Sequence, residues 1–172
     1  MLRFFLLLIT PLIILSQETH ENYIKMADHL AETAHQILPD EIIQVVAYGC
    51  TSGTIEIGEK RIKDEIQKSK KDTQITTPIT AAVKAFNLSK FKKIAVLTPY
   101  PKEVNIKVYN YLLNEGLDIM SFNSFNLNYD SEIAKVTKKS LIETISSINL
   151  KNVDCLFVSC TALKIVDLID DL

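Results

Sequence analysis

The chain has 172 residues, enough for one domain or two small lobes, and 47% of them are hydrophobic, enough to form a core. Nineteen basic against twenty-one acidic residues give a net charge of −2 with no basic stripe, so nucleic-acid binding is not expected. The three cysteines are an odd number without regular spacing and form no zinc-binding pair, so we expect neither a disulfide framework nor a metal site.

Residues 1–15 are strongly apolar and allow two interpretations. Arg3 precedes the apolar stretch, as in a secretory signal peptide, but Pro11 interrupts the stretch and no Ala-x-Ala cleavage site is present. The stretch is also too short for a transmembrane span, so none is expected. The alternative is a buried parallel strand that leads into the first helix. The residues alone leave both interpretations open.

Apolar runs of strand length alternate with stretches of helical period along the rest of the chain. In chain order the prediction is helix 18–38, strand 42–48, helix 51–69, a loop or short strand at 72–76, helix 79–86, strand 91–97, helix 102–116, strand 117–122, helix 130–148, strand 152–159 and helix 161–172. This alternation predicts an α/β fold in which parallel sheets are flanked by helices.

Four residues refine the limits of these helices. Ser16 or Thr19 can cap the first helix, and Gly116 is a good residue to follow the end of helix 102–116. Gly58 lies inside the predicted helix 51–69, where it suggests close approach of a neighbouring backbone or a mere loss of helix propensity.

A similar short segment occurs twice: residues 45–54 read VVAYGCTSGT, and residues 156–163 read LFVSCTAL. Each is an apolar run, one small residue and then Cys-Thr, followed by a helix-like pattern. A cysteine at the start of a helix meets unpaired backbone N–H groups and the positive end of the helix dipole, which favour the thiolate. Cys50 and Cys160 could therefore face one small anionic substrate from opposite sides and act without a cofactor.

Three predicted strands end in residues able to carry chemistry. These are Cys50, the segment Thr98-Pro99-Tyr100 and the pair Cys160-Thr161. Because parallel α/β sheets bind ligands at the carboxyl ends of their strands, all three are candidates for one common site. Tyr100 has a second interpretation, as a side chain packed between helices. Cys155 lies within a predicted strand, where a small buried side chain is expected.

Three motifs together resemble the aspartate/glutamate/hydantoin racemase superfamily: CTSGT at 50–54, TPY at 98–100 with Val104-Asn105 beyond it, and SCTAL at 159–163. The chain is most similar to the branch that holds maleate cis-trans isomerase, arylmalonate decarboxylase and the ectoine-utilisation proteins, from about residue 16 to 172. The resemblance implies a cofactor-independent enzyme with two lobes related by a pseudo-two-fold axis and an active site between them. The lobes would comprise residues 1–89 plus 167–172, and residues 90–166.

In relatives with both cysteines, one acts as base or nucleophile and the other as an acid on the opposite face. The resemblance therefore implies that Cys50 is the nucleophile and Cys160 the proton donor, acting on a small carboxylate or dicarboxylate. The substrate-binding residues that it implies are Thr51, Ser52, Tyr100, Thr161 and Ala162. The decarboxylase branch keeps only the second cysteine, so the presence of Cys50 favours an isomerase or a racemase over an arylmalonate-type decarboxylase.

The chain also departs from the family pattern. Members usually begin with an extra strand and loop that supply an asparagine to the site, and they continue beyond the helix after the last cysteine. A truncated relative that binds a small carboxylate or is inactive is therefore an alternative, as is an exported ligand-binding lobe. The resemblance places residues 1–15 at an internal strand and favours a cytoplasmic enzyme, since a reducing compartment suits free thiols. A homo-oligomer is one assembly state left open.

Overall fold

Two three-stranded parallel sheets form the framework of the chain, each within its own compact unit. The computed structural model describes residues 4–7 and 19–171. The first unit holds Phe4–Leu7 and Thr19–Ala82, and the second holds residues 83–171. The expected lobe limits, 1–89 plus 167–172 and 90–166, stay a prediction. The α/β fold with parallel sheets is confirmed.

In the first unit, strand β2 is the central strand of a sheet with the order β1-β2-β3. The elements in chain order are β1 (Phe4–Leu7), α1 (His20–Asp28), α2 (Leu30–Gln36), β2 (Val45–Tyr48), α3 (Thr51–Ile57), α4 (Glu59–Gln67) and β3 (Gln74–Thr76). The strand interpretation of the apolar N-terminus holds over Phe4–Leu7, which pairs with β2 in parallel register. The rest of residues 1–15 lies outside the described residues.

The core of the first unit forms where the helices pack on β2. Val46 and Tyr48 of β2 are fully buried among apolar side chains from the four helices. The helical members of this core are Tyr23, Met26, Ala27, Leu30, Ala34, Ile57, Ile62 and Ile66. Burial of this apolar surface fixes α3, and with it the turn between β2 and α3, against the sheet.

Both predicted helices of the first unit are interrupted. Helix 18–38 is divided at His29, and Thr19 caps its first part by accepting a hydrogen bond from the backbone N–H of Asn22. Helix 51–69 is divided at Gly58, whose φ of 88° and ψ of 136° favour glycine. The expected close approach of a neighbouring backbone at Gly58 is wrong, because a Cβ there would have no neighbour within 4 Å.

In the second unit, β4 is the central strand of a sheet with the order β5-β4-β6. The elements are α5 (Pro78–Ser89), which begins in the first unit, β4 (Lys93–Thr98), α6 (Lys102–Asn114), β5 (Asp118–Ser124), α7 (Asp130–Ile133), α8 (Lys138–Ser147), β6 (Cys155–Val158) and a 3₁₀ helix (Val166–Asp171). The four residues 94–97 of β4 are fully buried. This is expected for a parallel strand covered on both faces.

Two expectations for the second unit are wrong in detail. Helix 130–148 is two helices, since the Thr137 hydroxyl accepts the backbone N–H of Ser140 and caps a new start at α8. Residues 161–165 form no helix, and the chain continues as the 3₁₀ helix Val166–Asp171. Leu163 and Leu168 of this last stretch are buried, but Val166 is 74% exposed. A short α-helix is stable only when its apolar face packs against another element, and few apolar side chains of this segment are packed in this way.

The side chain of Asp154 joins the beginnings of two neighbouring strands. Its carboxylate accepts hydrogen bonds from the backbone N–H groups of Lys93 and Lys92, both at 2.8 Å. These two hydrogen bonds hold the pKa of Asp154 below its usual value, and the bond from Lys93 has the larger effect. A depressed folded-state pKa stabilises the protein above the unfolded-state pKa of about 3.9, and this stabilisation is lost as the pH falls through the folded-state pKa.

We therefore expect Asp154→Asn to lower Tm slightly at neutral pH, by about 1–3 °C because the side chain is exposed. The difference from the parent chain should shrink as the pH falls below about 4. Thermal unfolding followed by circular dichroism at several pH values measures this. A Tm difference that grows on acidification would contradict the assignment.

Candidate active site

Cys50 lies two residues beyond the carboxyl end of β2 and immediately precedes α3. Its backbone is extended, with φ −116° and ψ 118°, so that Cys50 is the N-cap of the helix. The thiol is half-buried, and its Sγ accepts a hydrogen bond from the backbone N–H of Gly53 at 3.2 Å. A thiolate accepts such a hydrogen bond better than a thiol, so this turn stabilises the charged sulfur.

Ser52 supplies a hydroxyl beside the same sulfur. Its Oγ lies 3.7 Å from Cys50 Sγ, and it also accepts a hydrogen bond of 2.7 Å from the hydroxyl of Tyr23 on α1. Ser52 and Thr51 are both buried polar residues. The sequence did not indicate a contact between Tyr23 and Ser52. The contact joins residues 29 positions apart, and no local pattern indicates it.

Gly53 is the second residue near Cys50 whose role the sequence did not indicate. A Cβ at this position would lie 2.6 Å from the hydroxyl oxygen of Tyr48 and 2.9 Å from Cys50 Sγ. Both distances are shorter than real Cβ contacts. The sulfur and the Tyr48 phenol therefore pack directly over the backbone of α3, and only glycine leaves room for them.

The second candidate cysteine lies at the carboxyl end of β6, in the second unit. Cys160 is half-buried and has a φ of 89°, in the left-handed region. Because residues 161–165 form no helix, Cys160 is not at a helix start, and that expectation is wrong. Thr161 is exposed and Ala162 is half-buried in the turn after Cys160.

Tyr100 is fully buried near the same strand ends. Its hydroxyl lies 3.2 Å from the Oγ of Ser159, the residue before Cys160. The structure therefore places Tyr100 close to the Cys160 turn within the second unit. Cys50, Thr51 and Ser52 lie together within the first.

Asn105 on α6 holds the Thr98-Pro99-Tyr100 turn in place. Its side-chain amide donates to the carbonyl oxygen of Tyr100 at 2.6 Å and to Ser124 Oγ at 2.9 Å, and its oxygen accepts from the Thr98 hydroxyl. Asn105 is only 8% exposed. The sequence alone favoured a helix-surface amide at this position. Its position one turn into α6 directs it back under the turn.

We expect Asn105→Ala to destabilise the protein by about 1–3 kcal/mol, because the buried Thr98 hydroxyl and the Tyr100 carbonyl each lose a partner. Asn110 lies on the same helix and is exposed, so Asn110→Ala is the matched control and should change stability little. Urea unfolding of both variants measures the effect. Equal stability of the two variants would show that Asn105 does not hold the turn.

Cys155 differs from the other two cysteines. It begins β6, and burial, with a smaller effect of the Asp154 charge, raises the pKa of its thiol. A raised pKa keeps the thiol protonated at neutral pH and makes it a poor nucleophile. Cys155 is therefore a useful internal reference for the reactivity of Cys50.

Neither a metal site nor a membrane span is found within residues 4–7 and 19–171. No three side chains of His, Cys, Asp or Glu come together there as metal ligands. No helix in that part of the chain is long and apolar enough to cross a membrane.

The chain is similar in sequence to known maleate isomerases. A curated maleate isomerase from Alcaligenes faecalis is 21% identical over 143 residues, which cover 79% of this chain and 56% of the relative. The chain thus spans about half the length of the curated relatives it matches.

Two solved structures share the fold. One is a cysteine-to-serine mutant of the Nocardia farcinica maleate cis-trans isomerase with a covalently bound succinylcysteine intermediate. It superposes with a TM-score of 0.81 at 18% identity, covering 91% of this chain and 66% of that chain. The other is a liganded arylmalonate decarboxylase in which a glycine is replaced by cysteine and a cysteine by serine. Its TM-score is 0.79 at 20% identity, covering 91% of this chain and 68% of that chain.

A family model described as arylmalonate decarboxylase matches residues 11–172, nearly the whole sequence. The fold, the motif order and this match agree with the resemblance to the aspartate/glutamate racemase superfamily. The chain belongs to the arylmalonate decarboxylase family.

Proposed function

We propose that this chain carries out cofactor-independent isomerisation of a small dicarboxylate, with maleate as the best candidate substrate. The observation that carries the proposal is the environment of Cys50, whose sulfur has a backbone N–H and a serine hydroxyl within reach. That arrangement stabilises a thiolate and presents donors to an anionic ligand beside it. The maleate isomerases among its relatives support the same choice of substrate.

The chemistry begins with addition to the double bond. The Cys50 thiolate forms an S–C bond with one alkene carbon, and the π electrons move toward the neighbouring carboxylate. Rotation about the resulting single bond and elimination of the thiolate give the trans isomer, fumarate. No electrons are gained or lost overall, so no redox partner is required. The succinylcysteine of the Nocardia farcinica mutant is the species that such an addition forms after protonation.

Other residues of the three motifs take supporting roles in this proposal. Cys160 exchanges the proton at the carbon next to the carboxylate, and Tyr100 hydrogen-bonds a carboxylate oxygen. The backbone N–H groups of Thr51, Ser52 and Thr161, the hydroxyls of Thr51 and Thr161, and the backbone of Ala162 stabilise the negative charge that develops on the substrate. Positioned acid–base groups of this kind contribute about 10²–10⁴-fold to a rate. We place the reaction in the cytoplasm, where thiols stay reduced.

Decarboxylation is the second candidate, because the matching family model is that of arylmalonate decarboxylase. Cys50 argues against it, since the resemblance implies that the decarboxylase branch keeps only the second of the two cysteines. Racemisation would use the same pair of thiols to exchange a proton across a stereocentre.

One experiment separates these reactions. The purified chain is incubated with maleate and the fumarate signal is followed by proton NMR. Parallel samples contain arylmalonate, to detect decarboxylation, and amino acids in deuterated water, to detect racemisation. Formation of fumarate supports the proposal. Protection of Cys50 from iodoacetamide by maleate without any turnover would instead support a binding protein, and slow, equal labelling of all three cysteines would contradict both.

A further inference from the structure

We propose that Tyr23 is a positioning residue that directs the Ser52 hydroxyl toward the Cys50 sulfur and so raises the fraction of thiolate at Cys50. The inference deepens the proposed function, which assigns Cys50 as nucleophile, but its effect on the thiol can be measured without turnover.

The contact between Tyr23 and Ser52 is short and protected from water. The Tyr23 hydroxyl lies 2.7 Å from Ser52 Oγ, and the two residues are 4% and 2% exposed. Because both hydroxyls are buried, bulk water does not compete for this hydrogen bond, and its direction and distance are well defined. Ser52 Oγ in turn lies 3.7 Å from Cys50 Sγ.

The direction of the hydrogen bonds decides what Ser52 offers to the sulfur. The Tyr23 phenol is the donor to Ser52 Oγ. The serine oxygen then accepts one hydrogen and keeps its own hydrogen to donate elsewhere. Cys50 Sγ lies within reach of that hydrogen, and a thiolate accepts it more strongly than a thiol. The phenol therefore acts on the sulfur through Ser52.

A second contact fixes α1 against α3 in the register that this arrangement needs. His20 Nδ1 lies 2.7 Å from Glu56 Oε2, and the Glu56 side chain is only 2% exposed. His20 precedes Tyr23 by about one helical turn, and Glu56 follows Ser52 by about one turn. The two helices are thus joined by two side-chain contacts about one helical turn apart, although His20 itself is 61% exposed. Together these contacts favour the register in which the Tyr23 hydroxyl meets Ser52.

Titratable groups also lie on the elements packed around Cys50. Tyr23 and His20 belong to α1, Tyr48 ends β2 and Glu56 belongs to α3. On α4 the charged side chains are Glu59, Lys60, Arg61, Lys63, Asp64 and Glu65, with Arg61 paired to Asp28 of α1, Lys60 to Asp64 and Glu65 to Lys68. Tyr23→Phe removes one hydroxyl and no formal charge, so a change in Cys50 reactivity reports on the hydrogen bond.

The test measures the rate of alkylation of Cys50 by iodoacetamide as a function of pH, with peptide mass spectrometry to separate the three cysteines. Tyr23→Phe is expected to move the midpoint of the Cys50 profile upward by about one pH unit. Ser52→Ala should move it at least as far, and the double variant should move it no further than Ser52→Ala alone. The profiles of Cys155 and Cys160 should not change.

The matched control is Met26→Ala, which truncates a buried side chain on the same helix and leaves the Tyr23 hydroxyl in place. It should lower Tm with no shift of the Cys50 profile. An unchanged Cys50 profile in Tyr23→Phe, or an equal shift in Met26→Ala, would overturn the inference. If Tyr23→Phe fails to fold, Ser52→Ala must still give the upward shift, and its absence would overturn the inference equally.

The assay with maleate is read separately. If the parent chain does not turn over maleate but Tyr23→Phe shifts the Cys50 alkylation profile, the result contradicts the proposed function and supports the role of Tyr23. If the parent chain turns over maleate but Tyr23→Phe causes no shift, the result supports the proposed function and contradicts the role of Tyr23.

Discussion

Cys50→Ala is expected to abolish isomerisation of maleate, with a loss of about 10⁴-fold or more in kcat, because the substitution removes the atom that bonds to the substrate. Cys155→Ala is the control, since its thiol is kept protonated by burial and should contribute nothing to turnover. Both variants are assayed by the formation of fumarate at saturating maleate. A Cys50→Ala variant that retains a tenth or more of the parent activity would contradict the assignment of Cys50 as nucleophile.

Cys160→Ser gives the complementary result. The serine hydroxyl is a poorer base than the Cys160 thiolate, so it removes the proton taken up by the adduct carbon only slowly. Elimination of Cys50 then slows while addition proceeds, and a protonated covalent adduct should accumulate. Intact-mass spectrometry would detect a gain of one maleic acid per chain, and digestion would locate it on the peptide that contains Cys50. An adduct found on Cys155, or none in the presence of residual turnover, would exclude this division of roles.

Gly53→Ala is expected to have the second-largest effect. Its Cβ would meet Tyr48 Oη at 2.6 Å and Cys50 Sγ at 2.9 Å. Alanine favours the helix by about 1 kcal/mol over glycine, but overpacking costs about 1–3 kcal/mol. Overpacking prevails because Tyr48 is fully buried and cannot move away, so the sulfur is displaced. A misplaced reacting atom lowers turnover by about 10²-fold.

Gly58→Ala is the matched variant for Gly53→Ala, since it lies at the other end of the same helix. A Cβ at Gly58 meets no atom within 4 Å, but its φ of 88° makes any other residue strained. Gly58→Ala should therefore lower stability by about 1–2 kcal/mol and leave Cys50 reactivity unchanged. Urea unfolding together with alkylation of Cys50 separates the two outcomes. If both variants reduce Cys50 reactivity equally, the close packing at Gly53 has no specific role.

Local sequence patterns predicted most of the framework. The apolar runs before Cys50 and after Lys92 became β2 and β4, because a parallel strand covered on both faces needs little polar surface. Thr19 capped α1, and Gly116, with a φ of 77°, follows the end of α6 as predicted. These features depend on neighbouring residues alone, so the sequence contains them directly.

The pattern failed where packing decides whether a helix continues. The helical period after Cys160 is present in the sequence, yet residues 161–165 form no helix and Cys160 takes a left-handed φ. Apolar periodicity stabilises a helix only when another element covers its face. The two Cys-Thr segments are therefore alike in their strands and differ in the backbone after the cysteine.

By itself the sequence determined the class of the fold, the strand ends that carry Cys50, Tyr100 and Cys160, and the family of the chain. Tertiary structure decided which side chains support them. Tyr23 reaches Ser52 across 29 positions, and Asn105 is buried beneath the Thr98-Pro99-Tyr100 turn. Hydrogen bonds between residues remote in the chain form only when helices pack on a sheet, and the local periodicity of the sequence does not indicate which side chains that packing brings together.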